Sequence, residues 1–431
     1  MIWFYIPLFK IVKIDTLVLT VLASVNCYNT MRERDKMKIA LVIDRFLPRK
    51  GGGERYVQIL AKGLAQEGHD VTIFARRFPV SPPNDRNIHY HVVKVPGWPG
   101  FLRVLLFARR CQKEAKKGSF DIVHDVGHMV GADIFNPHGG VEQVWLQRYF
   151  ASYHHPFHRF LKRIQRLFSP KEWAVILLQK RQFLSDKTRH IIAISPMIKT
   201  HIRSRYHGVP EDKITIIQNP TDLSRFKPEN RHVFRERERN KLGLKNDDIA
   251  ILFAGNNFRL KGLYPLIQSL TILEHLNAIA PFFKLLVAGN ENPSPWKRVC
   301  ERAGVGNRVA FLGPVRDMER LYAASDIFAI PTYYDSASLV VLEALASGLP
   351  VITSVWNGAS FLIDVPAAGV VLNGNDNPEE IARALYAYFP GKKREKALEA
   401  SPKTVIACSL EYHVDQILEI YREVIKKKAH G

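Results

Sequence analysis

The feature that most constrains this chain is a run of short, uninterrupted apolar stretches alternating with helical ones, and the pattern occurs twice. "KIALVI", Lys38 to Ile43, opens the first series. A run without polar alternation suits a strand covered on both faces, as in a parallel sheet. The loop "DRFLPRKGGGER" follows, then "YVQILAKGLAQEGHDVTIFA", which reads as a helix, a stop at Gly68 and a strand from Val71 to Phe74. Together they form a βαβ unit of the doubly wound kind. Further strands are expected at Ile88 to Val93, Ile122 to His124 and Ile191 to Ile194. The second series starts with "IAILF" at Ile249 to Phe253. It continues with strands at Lys284 to Ala288, Val309 to Leu312, Ile327 to Ile330, Val351 to Thr353 and Val370 to Leu372. Leu263 to Leu276 and Met318 to Ala324 read as helices between them. Between the series, "IIQNPTDLSRFKPEN" carries Pro220 and Pro228 and suits a linker. A chain of 431 residues is long for one core. The reading is therefore an α/β protein of two Rossmann-like domains, residues 37–217 and 218–409. The last stretch, "HVDQILEIYREVIKKK", puts Val414, Ile417, Leu418, Tyr421 and Val424 on one helical face. This C-terminal helix, about 410–431, is assigned to the first domain.

Composition adds one strong constraint: the formal net charge is +21 and the pI about 9.8. Such an excess implies a polyanionic neighbour, whether nucleic acid, an anionic membrane face or a phosphorylated substrate. The basic residues crowd between Trp145 and Arg205, where Arg159, Lys162, Arg163, Arg166, Lys171, Lys180 and Arg181 alternate with Phe157, Phe160, Phe168, Trp173 and Phe183. That is either a pair of solvated helices with their stripe on the core, or a basic aromatic surface for an anionic bilayer. Cys27, Cys111, Cys300 and Cys408 lie far apart with no C-x-x-C, which suggests a reducing compartment without structural metal. Residues 1–36 are apolar but broken by Lys10, Lys13 and Asp15, poor for a span of ~20 apolar residues. They read either as a tail from an upstream translation start or as a membrane-associating anchor.

Three places could carry chemistry. Gly51, Gly52 and Gly53 stand between a strand and a helix, where bare N–H groups and the helix dipole suit a phosphate. In the second series "FAGNNFRLKGL" sets Gly255 at a strand end, then Arg259 and Lys261, then a helix. The third place is "YYDSASLVVLEALASGLPVI", with free helix N–H groups at Ser338, Leu339 and Val340 and two acids, Asp335 and Glu343. Asp335 is suited to sugar hydroxyls and Glu343 to a ribose diol, although an acid at Asp335 is also a common helix cap.

These motifs together, with "GGGER", "IIQNPTDLSRFKP", "FRLKG", "ASDIFAIPTYYD" and "LVVLEALASGLPVI", resemble the retaining glycosyltransferases of family 4, with the two-domain GT-B fold facing a cleft. The resemblance runs from Met37 to the C-terminal helix. The family's E-x7-E spacing is kept, with Asp335 in place of the first glutamate. The resemblance implies that Glu343 binds the donor ribose and Asp335 the transferred sugar. It implies that Lys261, with Arg259, neutralises the leaving diphosphate, and that Gly51 and Gly52 pack on it. Within the family, "GNNFRLKG" most resembles the lipopolysaccharide core glucosyltransferase I group. "NPHGGVEQVW" then makes His138 and Glu142 acceptor-side candidates.

The expected reaction is transfer of a hexose from a nucleotide-diphosphate sugar, with UDP-glucose first and UDP-N-acetylglucosamine and GDP-mannose next. The expected acceptor is a membrane-associated glycolipid or lipopolysaccharide-core-type molecule at the inner face of the cytoplasmic membrane. The implied chemistry needs no cofactor and no divalent ion, because Lys, Arg and a helix dipole take the ion's place. His154, His155 and His158 are read as part of the basic surface rather than as metal ligands. Two rival readings remain: a nucleotide-sugar epimerase of the same fold, and a basic nucleic-acid- or membrane-binding protein without catalysis. No nucleic-acid motif is present, and nucleic acid is not the expected partner.

Overall fold

The computed structural model describes residues 36–48, 51–82, 85–97, 99–276 and 282–430. The first 35 residues, on which the choice between extra tail and anchor turns, lie outside them. Two parallel sheets are present, and both alternations are realised. The first sheet contains β1 (Lys38–Val42), β2 (Asp70–Ala75), β3 (Ile88–Val92), β4 (Ile122–Asp125), β5 (Ile134–Phe135), β6 (His190–Ala193) and β7 (Ile214–Ile216). Its spatial order is β3-β2-β1-β4-β5-β6-β7. The second contains β8 (Ile249–Ala254), β9 (Phe283–Ala288), β10 (Val309–Gly313), β11 (Ile327–Ile330), β12 (Val351–Ser354) and β13 (Gly369–Leu372), in the order β10-β9-β8-β11-β12-β13. All six residues of β8 are buried, as a strand with helices on both faces must be.

Strand order reverses between β1 and β4 in the first sheet and between β8 and β11 in the second. Beyond the carboxyl ends of the strands at such a point, the two neighbouring loops diverge and leave a crevice. The Gly51 loop leaves β1 there and leads into the helix Gly52–Gln66. The Gly255 loop leaves β8 and leads into the helix Leu263–Leu276. Two short strands, β5 and β7, were not expected from the sequence. β5 has only two residues, and β7 abuts the stretch that reads as linker, so neither gives a hydrophobic run of its own.

The C-terminal helix Leu410–Ala429 returns to the first domain, as its apolar face implies. Val414, Ile417, Leu418, Tyr421 and Val424 join Leu60 and Leu64 of the helix Gly52–Gln66 in one core cluster. Gly63 allows the approach, since a Cβ there would stand 2.5 Å from a Val414 methyl. The chain crosses between the domains twice, side by side: Thr221 N–H donates to Cys408 O at 2.8 Å, and His413 Nδ1 meets Gln218 O at 2.6 Å.

Three buried histidines line this junction. His124 meets the Tyr421 hydroxyl at 2.7 Å, His138 packs its ring on Tyr56 at 4.0 Å, and His413 stands edge-on to Tyr56. Burial pushes His124 and His138 down to about 3 and His413 down to about 4. The unfolded chain protonates such groups near pH 6.5, so their contribution is intact above that pH. It is lost as pH falls towards the folded values, at about 2 kcal/mol per histidine by pH 5. Asp125, which burial pushes up to about 7, works in the opposite sense and offsets about one histidine. Stability from urea unfolding is therefore expected to fall by several kcal/mol between pH 7 and pH 5. An unchanged midpoint across that range would contradict the burial of neutral imidazoles at the junction.

Candidate active site

The cleft between the sheets is organised by one strip of backbone, Tyr333 to Ala337, between β11 and the helix Leu339–Ala346. Groups of the first domain and the linker reach across to hold it. Arg148 Nε donates to Tyr333 O at 3.0 Å, and its Nη2 to Asn375 Oδ1 at 3.0 Å. The Tyr334 hydroxyl accepts from Val141 N–H at 3.3 Å. Ser195 Oγ donates to Ser336 O at 2.9 Å, Ser336 Oγ to His138 O at 2.6 Å, and Asn219 Nδ2 to Ala337 O at 3.0 Å. Two glycines make the fit possible. Gly140 has φ +81°, and a Cβ there would stand 2.2 Å from the Tyr334 hydroxyl. A Cβ at Gly358 would stand 1.7 Å from Ser336 O.

Asp335, in the middle of this strip, is not a helix cap. The helix starts four residues later, with Ser338 at the cap position and no side-chain capping bond. Asp335 instead bridges to Asn357 through its backbone and forms an ion pair with Lys261. Lys261 is carried by the Gly255 loop, with its Cγ 3.5 Å from where a Gly255 Cβ would lie. Gly262 then turns the chain at φ +82° with Pro331 O against it, leaving no room for a side chain. The two residues read as leaving-group cation and sugar-binding acid are thus brought into contact, at the mouth of the helix whose Leu339 and Val340 amides precede its first internal donor, Val341 N–H.

Glu343, one turn further in, is 2% exposed. Burial raises its carboxyl above the ordinary range, and two partners hold it back: Arg55 Nη1 at 2.6 Å from Oε1, and the Tyr322 hydroxyl at 3.0 Å from Oε2. Arg55 comes from the other domain, on the first turn of the helix that Gly51 opens. That ion pair is how the Gly51–Gly52 loop and Glu343 are brought together. A Cβ at Gly52 or Gly53 would meet nothing within 4 Å, whereas one at Gly51 would meet the Glu54 carboxylate, which folds back over the helix start.

None of Arg259, His138 and Glu142 joins the Lys261–Asp335 pair. Arg259 does not join Lys261 on Asp335; its guanidinium lies over the Tyr153 ring at 3.9 Å and the Tyr149 ring at 5.4 Å. The two-residue spacing puts the two side chains on different sides of the loop. His138 contributes its carbonyl to the seam, while its ring is buried and neutral against Tyr56. Glu142 starts the helix Glu142–Ala151, its carboxyl raised by burial and eased by Arg166 and Lys171. His154 stacks on Tyr264 at 4.1 Å and meets the Tyr333 hydroxyl at 3.3 Å. Sequence reasoning missed Arg55, Tyr322, Arg148 and Tyr334. Arg55 was in view within "GGGER", but its partner lies 288 positions away (343 − 55) and only domain closure reveals it.

Comparison with known proteins agrees with this geometry. Residues 50–225 match the model of Glycosyltransferase Family 4, and residues 234–403 that of Glycosyl transferases group 1. An uncharacterized glycosyltransferase of Methanocaldococcus jannaschii is 28% identical over 361 residues, covering 80% of this chain and 87% of the relative. WaaG, a glycosyltransferase involved in lipopolysaccharide biosynthesis, superposes with a TM-score of 0.72 at 20% identity, covering 89% of this chain and 99% of that one. Anabaena HepE, solved with UDP-glucose, superposes with a TM-score of 0.65 at 18% identity over 90% of this chain and all of that one.

The Arg55–Glu343 pair has a measurable consequence. Removing the cation leaves a carboxylate stranded in a buried position, which costs more than losing both partners. Arg55→Ala is therefore expected to destabilise the protein more in the native background than in Glu343→Gln. A coupling of about 1–3 kcal/mol is expected in a double-mutant cycle by urea unfolding. Additive effects would mean that the pair does not form in solution.

Proposed function

We propose that this chain, a glycosyltransferase of the GT-B type, transfers a hexose with retention of anomeric configuration from UDP-glucose to a membrane-associated glycolipid or lipopolysaccharide-core-type acceptor. The observation that carries the reading is the meeting of Lys261 and Asp335 at a helix mouth, with Glu343 one turn deeper and the Gly51 loop facing it. The diphosphate lies at the amides of Ser338, Leu339 and Val340, and Glu343 takes the ribose diol in exchange for Arg55. Asp335 accepts from hydroxyls of the sugar.

As the bond from the anomeric carbon to the phosphate oxygen breaks, negative charge grows on the diphosphate, and Lys261 with the helix dipole stabilises it. The departing phosphate oxygen takes the proton from the acceptor hydroxyl, which attacks the same face of the sugar. No enzymic nucleophile and no divalent ion is required by this scheme. UDP-glucose is favoured as donor because HepE, of the same fold, binds it. The acceptor class is supported by the likeness to WaaG and by the surface described next.

The helix Pro156–Leu167 buries no residue. Phe157, Phe160, Leu161, Leu167 and Phe168 are exposed beside Arg159, Lys162 and Arg163, with Phe168 77% accessible. Of the two readings of the basic stretch, the core-facing one fits Tyr149 and Phe183, which are buried. The bilayer reading fits residues 157–168 and Trp173, whose apolar and cationic groups share one accessible surface. No helix among the described residues is long and apolar enough to cross a membrane. The proposed placement is peripheral, on the inner face of the cytoplasmic membrane.

Lys261→Ala is expected to lower kcat about a hundredfold, equivalent to about 3 kcal/mol, because its partner charge grows only in the transition state. Glu343→Gln should raise the donor KM instead, since ribose binding is common to ground and transition states. NMR of the product anomer reports retention directly. Full activity in Lys261→Ala, or an inverted product, would overturn the scheme. A sugar product released without acceptor would favour the epimerase reading.

Flotation with vesicles containing phosphatidylglycerol should fall steeply as salt rises. It should fall further in Lys162→Glu/Arg163→Glu and in Phe157→Ser/Phe160→Ser, with the thermal midpoint kept. Flotation insensitive to both pairs would remove the helix Pro156–Leu167 as the membrane contact.

A further inference from the structure

A second cationic site lies in the first domain, apart from Lys261 and the Gly51 loop. A cavity of about 480 Å³ is lined by Arg76, Arg77, Lys94, Arg103 and Arg110, with backbone from Val92 to Gly97 closing one side. Among the described residues, no carboxylate lines it. Arg76 is held by a bidentate pair with Asp44, both bonds 2.8 Å, and Arg110 donates to Lys94 O. Neighbouring Glu114 is engaged by His91 at 2.7 Å. Among the described residues, Arg77, Lys94 and Arg103 have no acidic partner. Arg76 is already neutralised by Asp44; the other four cations around the cavity repel each other unless an anion joins them, and guanidinium forks match phosphate oxygens in pairs.

Position narrows the ligand. Arg76 and Arg77 directly follow β2, and Val93 to Pro96 directly follow β3, so the cavity lies on the carboxyl edge of the sheet. The Gly51 loop leaves the same edge from β1, which neighbours β2 and is two strands from β3, so at the usual strand spacing the separation is about 5–10 Å. That distance matches one or two sugar units. Resting on the transfer reading above, we propose that this cavity binds a phosphate group carried by the acceptor, one or two sugar units from the hydroxyl that is glycosylated. The site would select acceptors by their phosphate and aim the remaining saccharide at the donor. A sugar phosphate and a phosphorylated lipid headgroup present the same chemistry.

The test is calorimetric titration of inorganic pyrophosphate into the full chain saturated with UDP or GDP, whichever raises the melting temperature, so that the donor site is filled. Binding is expected, and at least tenfold weaker in Arg103→Gln/Arg110→Gln. The exposed pair Arg77→Gln/Lys94→Gln, which touches no buried contact, should show the same loss if the first variant folds poorly. Nucleotide affinity should stay unchanged in both. Lys162→Gln/Arg163→Gln removes equal charge elsewhere and should change pyrophosphate affinity less than twofold. No pyrophosphate binding to the nucleotide-saturated protein, or an equal loss in that control, overturns the proposal. Absence of nucleotide binding would instead defeat the transfer reading itself. Glucose 1-phosphate and vesicles of phosphatidic acid separate the sources: the cavity variants lose the first if the phosphate is on a saccharide, and flotation on the second if it is on a lipid.

Discussion

The cleft depends on the strip from Tyr333 to Ala337, which belongs to one domain by sequence and is held by the other. Arg148, Val141, Ser195, His138 and Asn219 bond to it along its length. A loop leaving a strand edge would by itself sample many conformations. Here its position is over-determined, and Asp335 is fixed as a consequence. Each such bond is worth about 1 kcal/mol net. The seam therefore totals a few kcal/mol, an amount that differential ligand binding can outweigh. A cleft held this firmly is ordered when closed and still able to open for exchange of substrate and product.

The two acids of the site are treated differently by their surroundings, and the difference matches their roles. Glu343 is buried and needs Arg55 and Tyr322 to remain charged. Asp335 is 15% exposed at its side chain and shares its charge with Lys261. In the proposed reaction, a donor entering the site brings hydroxyls to both acids and a diphosphate to Lys261. The cation then has a stronger partner than Asp335, and Asp335 is released to the sugar. In the same scheme Arg55 is released from Glu343, on the first turn of the helix Gly52–Gln66. Ion pairs that the substrate must exchange hold side chains in place without a gap in the empty site.

Much of this was legible in the sequence, for reasons that particular residues show. Parallel strands covered on both faces announce themselves, so β1, β8 and β11 could be read to within a residue. That Lys261 and Asp335 face one crevice followed from motifs carried by adjacent loops of one domain. The strip's partners could not be read, because Arg148, Tyr334 and Arg55 look like ordinary surface or core residues until the domains close. Gly140 shows the limit well. It sits in a segment that resembles an acceptor loop, yet the structure uses its missing side chain to admit the Tyr334 hydroxyl. β5 and β7 were missed because two or three residues carry no periodicity.

The charge of +21 suggested a polyanionic partner, but a total says nothing about placement. Part of it is structural: Arg231, Arg235, Arg239 and Arg394 converge within 4 Å of Asp326, which precedes β11 at the end away from the cleft. Arg239 there is 1% exposed and also donates to four backbone carbonyls, those of Ala324, Lys245, Asn246 and Asp248. Those cations stabilise a loop junction and are unavailable to any ligand. Among the described residues, exposed cations without an acidic partner lie on both domains: on the first, on the helix Pro156–Leu167 and around the cavity beside β2 and β3, and on the second, at Lys297, Arg298, Lys392 and Lys393. Screening confines an exposed charge to roughly 10 Å at 0.1 M salt, so only charges on the relevant face can steer a partner. What distinguishes the first domain is the grouping of its cations, beside exposed aromatics on the helix Pro156–Leu167 and around one cavity, which is why the proposed acceptor and membrane contacts are assigned to it.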